Sequence, residues 1–108
     1  MANVLEITKE NFEAEVLKSP LPVLVDFWGP RCAPCLGLLP VVDELAQIYE
    51  DKIKFCKVNI TENRRLAIEL KVMSLPTFLF YKNGQVVSQL QTSFGRPEIE
   101  EQLKSLLS

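Results

Sequence analysis

No histidine occurs anywhere in the 108 residues. That absence removes the Ser–His–Asp and Cys–His mechanisms, histidine-ligated zinc and the commonest general base near neutral pH. Any chemistry here rests on cysteine, carboxylate or lysine. Cysteine is itself scarce. The 3 present, Cys32, Cys35 and Cys56, are too few and odd in number for a disulfide-stapled secreted scaffold. Without a second C-x-x-C they do not supply the four ligands of a structural zinc site, so no bound metal is expected. A reducing compartment fits this cysteine usage. An excess of one charge is lacking too: 12 Lys and Arg against 14 Asp and Glu leave a formal charge of −2, which gives no basic field for nucleic acid or an anionic membrane. No apolar run approaches the ~18 residues of a membrane span. The opening "MANVLEITKE" has no basic stretch followed by an apolar core. The expectation is a soluble, unexported, cytoplasmic protein without nucleic-acid or membrane partners.

What is present suits one core. With 47% hydrophobic residues, residues 1–108 read as a single domain. "VLEIT" alternates and is rich in β-formers, so Val4 to Thr8 is expected as a strand, with Thr8 then capping a helix that carries Phe12, Val16 and Leu17 on one side. Pro20 and Pro22 end that helix. "VLVDFW" is a nearly continuous apolar run, as in a strand covered on both faces. A helix follows from Pro34, with Leu38, Val41, Val42, Leu45, Ile48 and Tyr49 at helical spacing and a kink expected at Pro40. "IKFCKVNI", residues 53 to 60, reads as a strand, and Thr61 is expected to cap a short helix reaching about Leu70. "PTFLFY", "KNGQ" and "VVSQL" read as a hairpin turning at Asn83–Gly84. "RPEIEEQLKSLLS" reads as a last helix, with Pro97 near its start and a stripe of Ile99, Leu103, Leu106 and Leu107. The order βαβαβαββα predicts an α/β domain with a mixed sheet and helices on both faces.

"WGPRCAPC", residues 28 to 35, holds the one cysteine pair close in sequence. A metal site, a structural disulfide and a reactive dithiol are the three readings of such a pair, and ligand count disfavours the first. Cys32 follows a strand and a Gly–Pro segment, whereas Cys35 falls in the first turn of the next helix. Residues three apart on a helix share a face at a Cβ separation of about 5–6 Å, close enough for a disulfide to open and close. Unpaired N–H groups at the helix start favour a thiolate at Cys32. Cys32 is therefore expected to be the nucleophile and Cys35, one turn deeper, the resolving thiol. The bland alternative is two inert cysteines in an ordinary strand-to-helix turn. Asp26, inside the apolar run, is expected to hold its proton above the usual carboxylate range because burial disfavours charge; the alternative is an aspartate that only satisfies backbone N–H groups. Trp28 reads as packing beside the dithiol. Cys56 reads as a buried, inert thiol, with a second regulatory cysteine as the alternative.

"VDFWGPRCAPC", "KVNI", "SLPTF", the "KNG" hairpin and the element order together resemble the thioredoxins over essentially the whole chain. The chain keeps Asp26, Phe27, Trp28, Cys32, Pro34 and Cys35 of that family's site. It departs at Arg31, which replaces a tryptophan, at Ala33, which replaces a glycine, at Gly29–Pro30, and at Thr92, where the family usually has a glycine. The resemblance implies the thioredoxin fold and a thiol–disulfide oxidoreductase that reduces protein disulfides. It implies that Asp26 exchanges a proton with Cys35 through water, and that Lys57 on the neighbouring strand approaches Asp26 unless it simply reaches solvent. Pro76 in "SLPTF" would be the family's cis-proline opposite the dithiol, leaving nearby backbone free to pair with an extended client. Arg31, Ala33, Ile60, Leu75 and Thr92 would face the client, so the departures bear on client preference and leave the chemistry intact. No cofactor would be bound; NADPH and FAD would sit on a partner thioredoxin reductase, and the chain would work as a monomer. Two alternatives stand beside this: an oxidoreductase serving one pathway, and a non-catalytic binding subunit of the same fold.

Overall fold

The computed structural model describes residues 3–108, leaving residues 1 and 2 of the expected domain outside it. Strand β1, Val4–Glu6, is followed by a π-helical turn, Glu13–Leu17, and by β2, Val23–Trp28. Helix α1 spans Ala33–Ile48, β3 Lys54–Asn59 and α2 Arg64–Glu69. The chain closes with β4, Thr77–Lys82, β5, Gln85–Gln91, and α3, Arg96–Leu106. These elements follow the expected order. The sheet has 5 strands in the order β1-β3-β2-β4-β5. β3 runs parallel to both β1 and β2, whereas β4 is antiparallel to β2 and β5. The sheet is therefore mixed.

Strand side chains alternate between two apolar layers. Leu24, Phe55, Phe78 and Phe80 meet Val42 and Leu45 of α1 and Ile99, Leu103 and Leu106 of α3. Val23, Val25, Phe27, Cys56 and Val58 face the other way, against Phe12 and Val16 of the π turn and Leu66 of α2. Helices thus cover both faces, and a strand buried on both sides has to be a nearly continuous apolar run. That is why β2 reads VLVDFW, and why Asp26, on the α1 side, stands out.

Several local expectations need correction. β1 stops at Glu6 rather than Thr8, although Ile7 N–H still donates to the Lys57 carbonyl at 2.8 Å. Thr8 Oγ1 accepts from Glu10 N–H at 3.3 Å, but regular helical structure begins only at Glu13 and is π-type, with Lys18 N–H donating to the Glu13 carbonyl at 3.0 Å. The wider turn leaves Phe12 and Val16 inward and Leu17 exposed. Thr61 does not cap α2. Asn59 Oδ1 accepts from both its N–H and its hydroxyl, holding residues 59–61 in a side-chain-closed turn, so that α2 starts at Arg64. Ile48 and Leu107, expected on buried stripes, are exposed, whereas the adjacent Tyr49 and Leu106 pack on the core. α1 runs through Pro40 as one element. The N–H that proline lacks would have bonded the carbonyl of Leu36.

The hairpin turn is as expected. Asn83 and Gly84 have φ of 56° and 78°, the pair of positive angles a tight primed turn requires. Space also demands glycine at 84, since a Cβ there would lie 2.8 Å from the Leu17 carbonyl oxygen.

Candidate active site

The end of β2 and the start of α1 build the site. After Trp28 the chain turns, with Cys32 N–H donating to the Gly29 carbonyl at 3.1 Å, and α1 begins. Cys32 is the N-cap residue of α1, and its Sγ accepts the Cys35 N–H at 3.2 Å. A helix start supplies N–H groups without intrahelical partners, and here one of them points at sulfur. The two cysteines are joined in a disulfide, with Cα atoms 5.2 Å apart. Their burial differs: Cys32 is half-buried, whereas Cys35 is 0% exposed. An incoming thiolate or disulfide can reach only the Cys32 sulfur. No group of three or more Cys, Asp and Glu among the described residues could hold a metal ion.

Asp26 lies on the sheet face that α1 covers, 1% exposed, and neither carboxyl oxygen has a hydrogen-bond partner. Burial pushes its pKa up to about 8, with the Lys57 ammonium offsetting part of the rise. Lys57 is its register neighbour on β3. The two form none of the ion pairs among the described residues; the Lys57 ammonium instead sits 6.0 Å from the centroid of the Trp28 ring. Trp28 is the last residue of β2, four before Cys32, and its ring lies at the outer range of a cation–π contact with the lysine. The aspartate that only satisfies backbone N–H groups does not describe Asp26.

The Leu75–Pro76 peptide is cis, Pro76 is buried, and its carbonyl accepts the Thr92 N–H at 2.9 Å. Beside the Cys32 sulfur runs an open groove walled by Gly29, Pro30, Arg31, Ile60, Thr61 and Leu75. Of the residues expected to face a client, the structure brings Arg31, Ile60 and Leu75 into this groove. Ala33 and Thr92 lie outside it, both exposed, as does Pro34 on the first turn of α1. Thr92 holds a φ of 70°, the left-handed region in which glycine is at ease and a β-branched residue is strained. Gly29, Pro30 and Thr61 line the groove without belonging to the sequence-based set. Thr61 was assigned to a helix cap, and only the turn closed by Asn59 turns it toward the groove.

Cys56 faces the opposite layer from α1, 0% exposed, and burial pushes its thiol up to about 12. It is a packing residue. Larger surface depressions elsewhere, one near Pro20 and Lys54 and another near Lys9 and Arg64, contain no cysteine.

Comparison with known proteins agrees with the geometry. The family model described as Thioredoxin matches residues 3–105. Thioredoxin 1 of Nostoc sp. is 42% identical over 107 residues, covering 99% of this chain and 100% of that one. The thioredoxin of Rickettsia typhi is 43% identical over 104 residues, 96% of this chain and 92% of its own length. That of Haemophilus influenzae is 44% identical over 88 residues, 82% of each chain. A likeness running the length of the chain, on a sheet that sets one reachable and one buried sulfur at a helix start, places the protein in the thioredoxin family, as a thiol–disulfide oxidoreductase that reduces protein disulfides.

Proposed function

We propose that the reduced protein attacks client disulfides through Cys32 and resolves the product through Cys35. The Cys32 thiolate displaces one client sulfur, forming a Cys32–client disulfide and releasing a client thiolate. Cys35 gives up its proton and attacks the Cys32 sulfur, the Cys32–Cys35 bond forms, and the second client thiolate leaves. The client gains two electrons and the protein loses them. The observation that carries this order is the unequal burial of the two sulfurs, with Cys35 0% exposed and its N–H turned on Cys32 Sγ. Asp26 is the proton acceptor for Cys35. With a pKa near 8 the carboxyl is mostly protonated at pH 7, and it is the ionised fraction, about a tenth there, that takes the proton from the thiol, so this step should speed up as pH rises toward 8. Lys57 tunes that carboxyl electrostatically, and Pro76 with Leu75 offers extended backbone to the client.

Ile60, Leu75 and the Gly29–Pro30 turn form the apolar part of the client surface, with Ala33, Pro34 and Thr92 on its rim. The oxidised pair returns to the dithiol through a thioredoxin reductase, whose FAD passes electrons from NADPH; the chain itself carries no cofactor. The cytoplasm suits this cycle, because NADPH is supplied there. No helix among the described residues is long and apolar enough to cross a membrane. The chain acts as a monomer. NADPH consumption in the presence of a thioredoxin reductase and an oxidised protein substrate tests the scheme. It should depend on this protein and vanish with Cys32→Ser. Client binding that survives Cys32→Ser unchanged, without turnover by the unaltered protein, would instead support a binding subunit.

A further inference from the structure

Charge is scarce among the residues that line the groove beside the reachable sulfur. Gly29, Pro30, Ile60, Thr61 and Leu75 wall the groove beside Cys32, and Arg31 is the single charged residue lining it. The first turn of α1 carries no acidic residue. The neighbouring segments, "MSLP" at 73–76 and "QTS" at 91–93, are uncharged. Arg31 is exposed and takes part in none of the ion pairs among the described residues. Arginines elsewhere differ: Arg96 is held by Glu44 and Glu100. Arg31 thus has guanidinium donors that the fold does not use, one residue from the sulfur a client must approach.

We propose that Arg31 is a specificity-determining residue that selects client disulfides flanked by Asp or Glu. The client carboxylate pairs with the guanidinium while an apolar neighbour enters the groove between Ile60 and Leu75. This inference rests on the reading of the protein as a disulfide reductase and adds the chemical class of its preferred substrate. Adjacent Cα atoms are about 3.8 Å apart, so a carboxylate within one or two residues of the client cysteine falls within reach of the Arg31 side chain. The site is open to water. An exposed ion pair there is weak and screened, and it raises the rate of encounter and attack by roughly two- to five-fold at low salt rather than by orders of magnitude.

The test uses three peptide disulfides that share one sequence with a leucine beside the cysteine and differ in a single flanking position, Glu, Gln or Lys. The reduced full-length protein is mixed with each, and the second-order rate is divided by that of a small uncharged dithiol, which removes the intrinsic effect of charge on the disulfide. The expected Glu-to-Gln ratio is roughly two to five at about 20 mM salt and close to one at about 0.5 M. Arg31→Gln should bring the low-salt ratio close to one, and Arg31→Glu should invert the order in favour of the Lys peptide. Equal rates for the Glu and Gln peptides overturn the inference while leaving the reductase reading intact. So does an Arg31→Gln protein that slows both peptides by one common factor, because the guanidinium would then act on the Cys32 sulfur and not on the client. Failure to reduce any of the three overturns both readings.

Discussion

Asp26→Asn should make the oxidised protein more stable, by an amount that depends on pH in a fixed way. In the folded chain the carboxyl is 1% exposed, has no hydrogen-bond partner and titrates near 8 instead of 3.8. Its folded pKa is raised, so the native state binds a proton that the unfolded chain releases above pH 4. Below pH 4 both states hold the proton and the group costs nothing by titration. Between pH 4 and 8 the unfolded chain is favoured progressively, and the folding constant falls about tenfold per pH unit relative to a variant that cannot titrate. At pH 7 some three units of that window have been crossed, which corresponds to about 4 kcal/mol. The buried amide of asparagine carries its own unpaired donors, comparable in cost to the carboxylic acid it replaces, so the net gain expected is about 2–4 kcal/mol. Urea denaturation of both oxidised proteins at several pH values from 3.5 to 8.5 provides the curve. The difference should be smallest at the acid end, grow through neutrality and level off above pH 8. A variant that is less stable at pH 7, or a difference independent of pH, would refute the assignment of a buried, unpaired and protonated carboxyl. The same variant should slow resolution of the mixed disulfide, so stability and turnover move in opposite directions.

Three further outcomes follow from local geometry. Thr92→Gly should raise stability by about 0.5–1 kcal/mol: it relieves a φ of 70° at an exposed β-branched residue, a strain of about 1–2 kcal/mol partly offset by the larger entropy of an unfolded glycine. A lowered denaturation midpoint would contradict it. Two glycine-to-alanine changes should have opposite signs. Gly37→Ala, in α1 with nothing within 4 Å of the new Cβ, should stabilise by about 0.5–1 kcal/mol, whereas Gly84→Ala should destabilise by more than about 1 kcal/mol, because a φ of 78° and the Leu17 carbonyl both oppose a Cβ. Cys56 should resist alkylation in the native protein and react once it is unfolded, as its burial and raised pKa require; rapid native labelling at Cys56 would reopen a regulatory role.

The dithiol was legible in the sequence because its geometry is local. A strand, a short turn and a helix start within "VDFWGPRCAPC" fix which cysteine is reachable, and no distant residue is needed to predict it. Asp26 was legible for a similar reason, since one carboxylate in a two-sided apolar strand has nowhere to go but the interior. What escaped was set by contacts between separate segments. Thr61 has the residue type of a cap, but the Asn59 side-chain oxygen binds it first, a competition that sequence pattern does not weigh. Leu17, Ile48 and Leu107 fit the apolar stripes but fall at or next to element ends and stay exposed. The groove is the largest such gap: Gly29, Pro30 and Thr61 join Ile60 and Leu75 from stretches that meet only because β2 lies beside β3 and β4. Resemblance implies Ile60 and Leu75 there, and also Ala33 and Thr92, which lie outside the groove and are exposed.

Trapping with Cys35→Ser measures the central claim most directly. The reduced variant is mixed with an oxidised client protein, quenched with acid and digested, and the intermolecular disulfide is located by mass spectrometry. A nucleophile at the start of α1 and a resolving thiol buried behind it predict a stable complex joined through Cys32, absent when Cys32 is also replaced and transient in the unaltered protein. A client joined through Cys56, or no complex with a client that the unaltered protein reduces, would contradict the roles assigned to the two sulfurs.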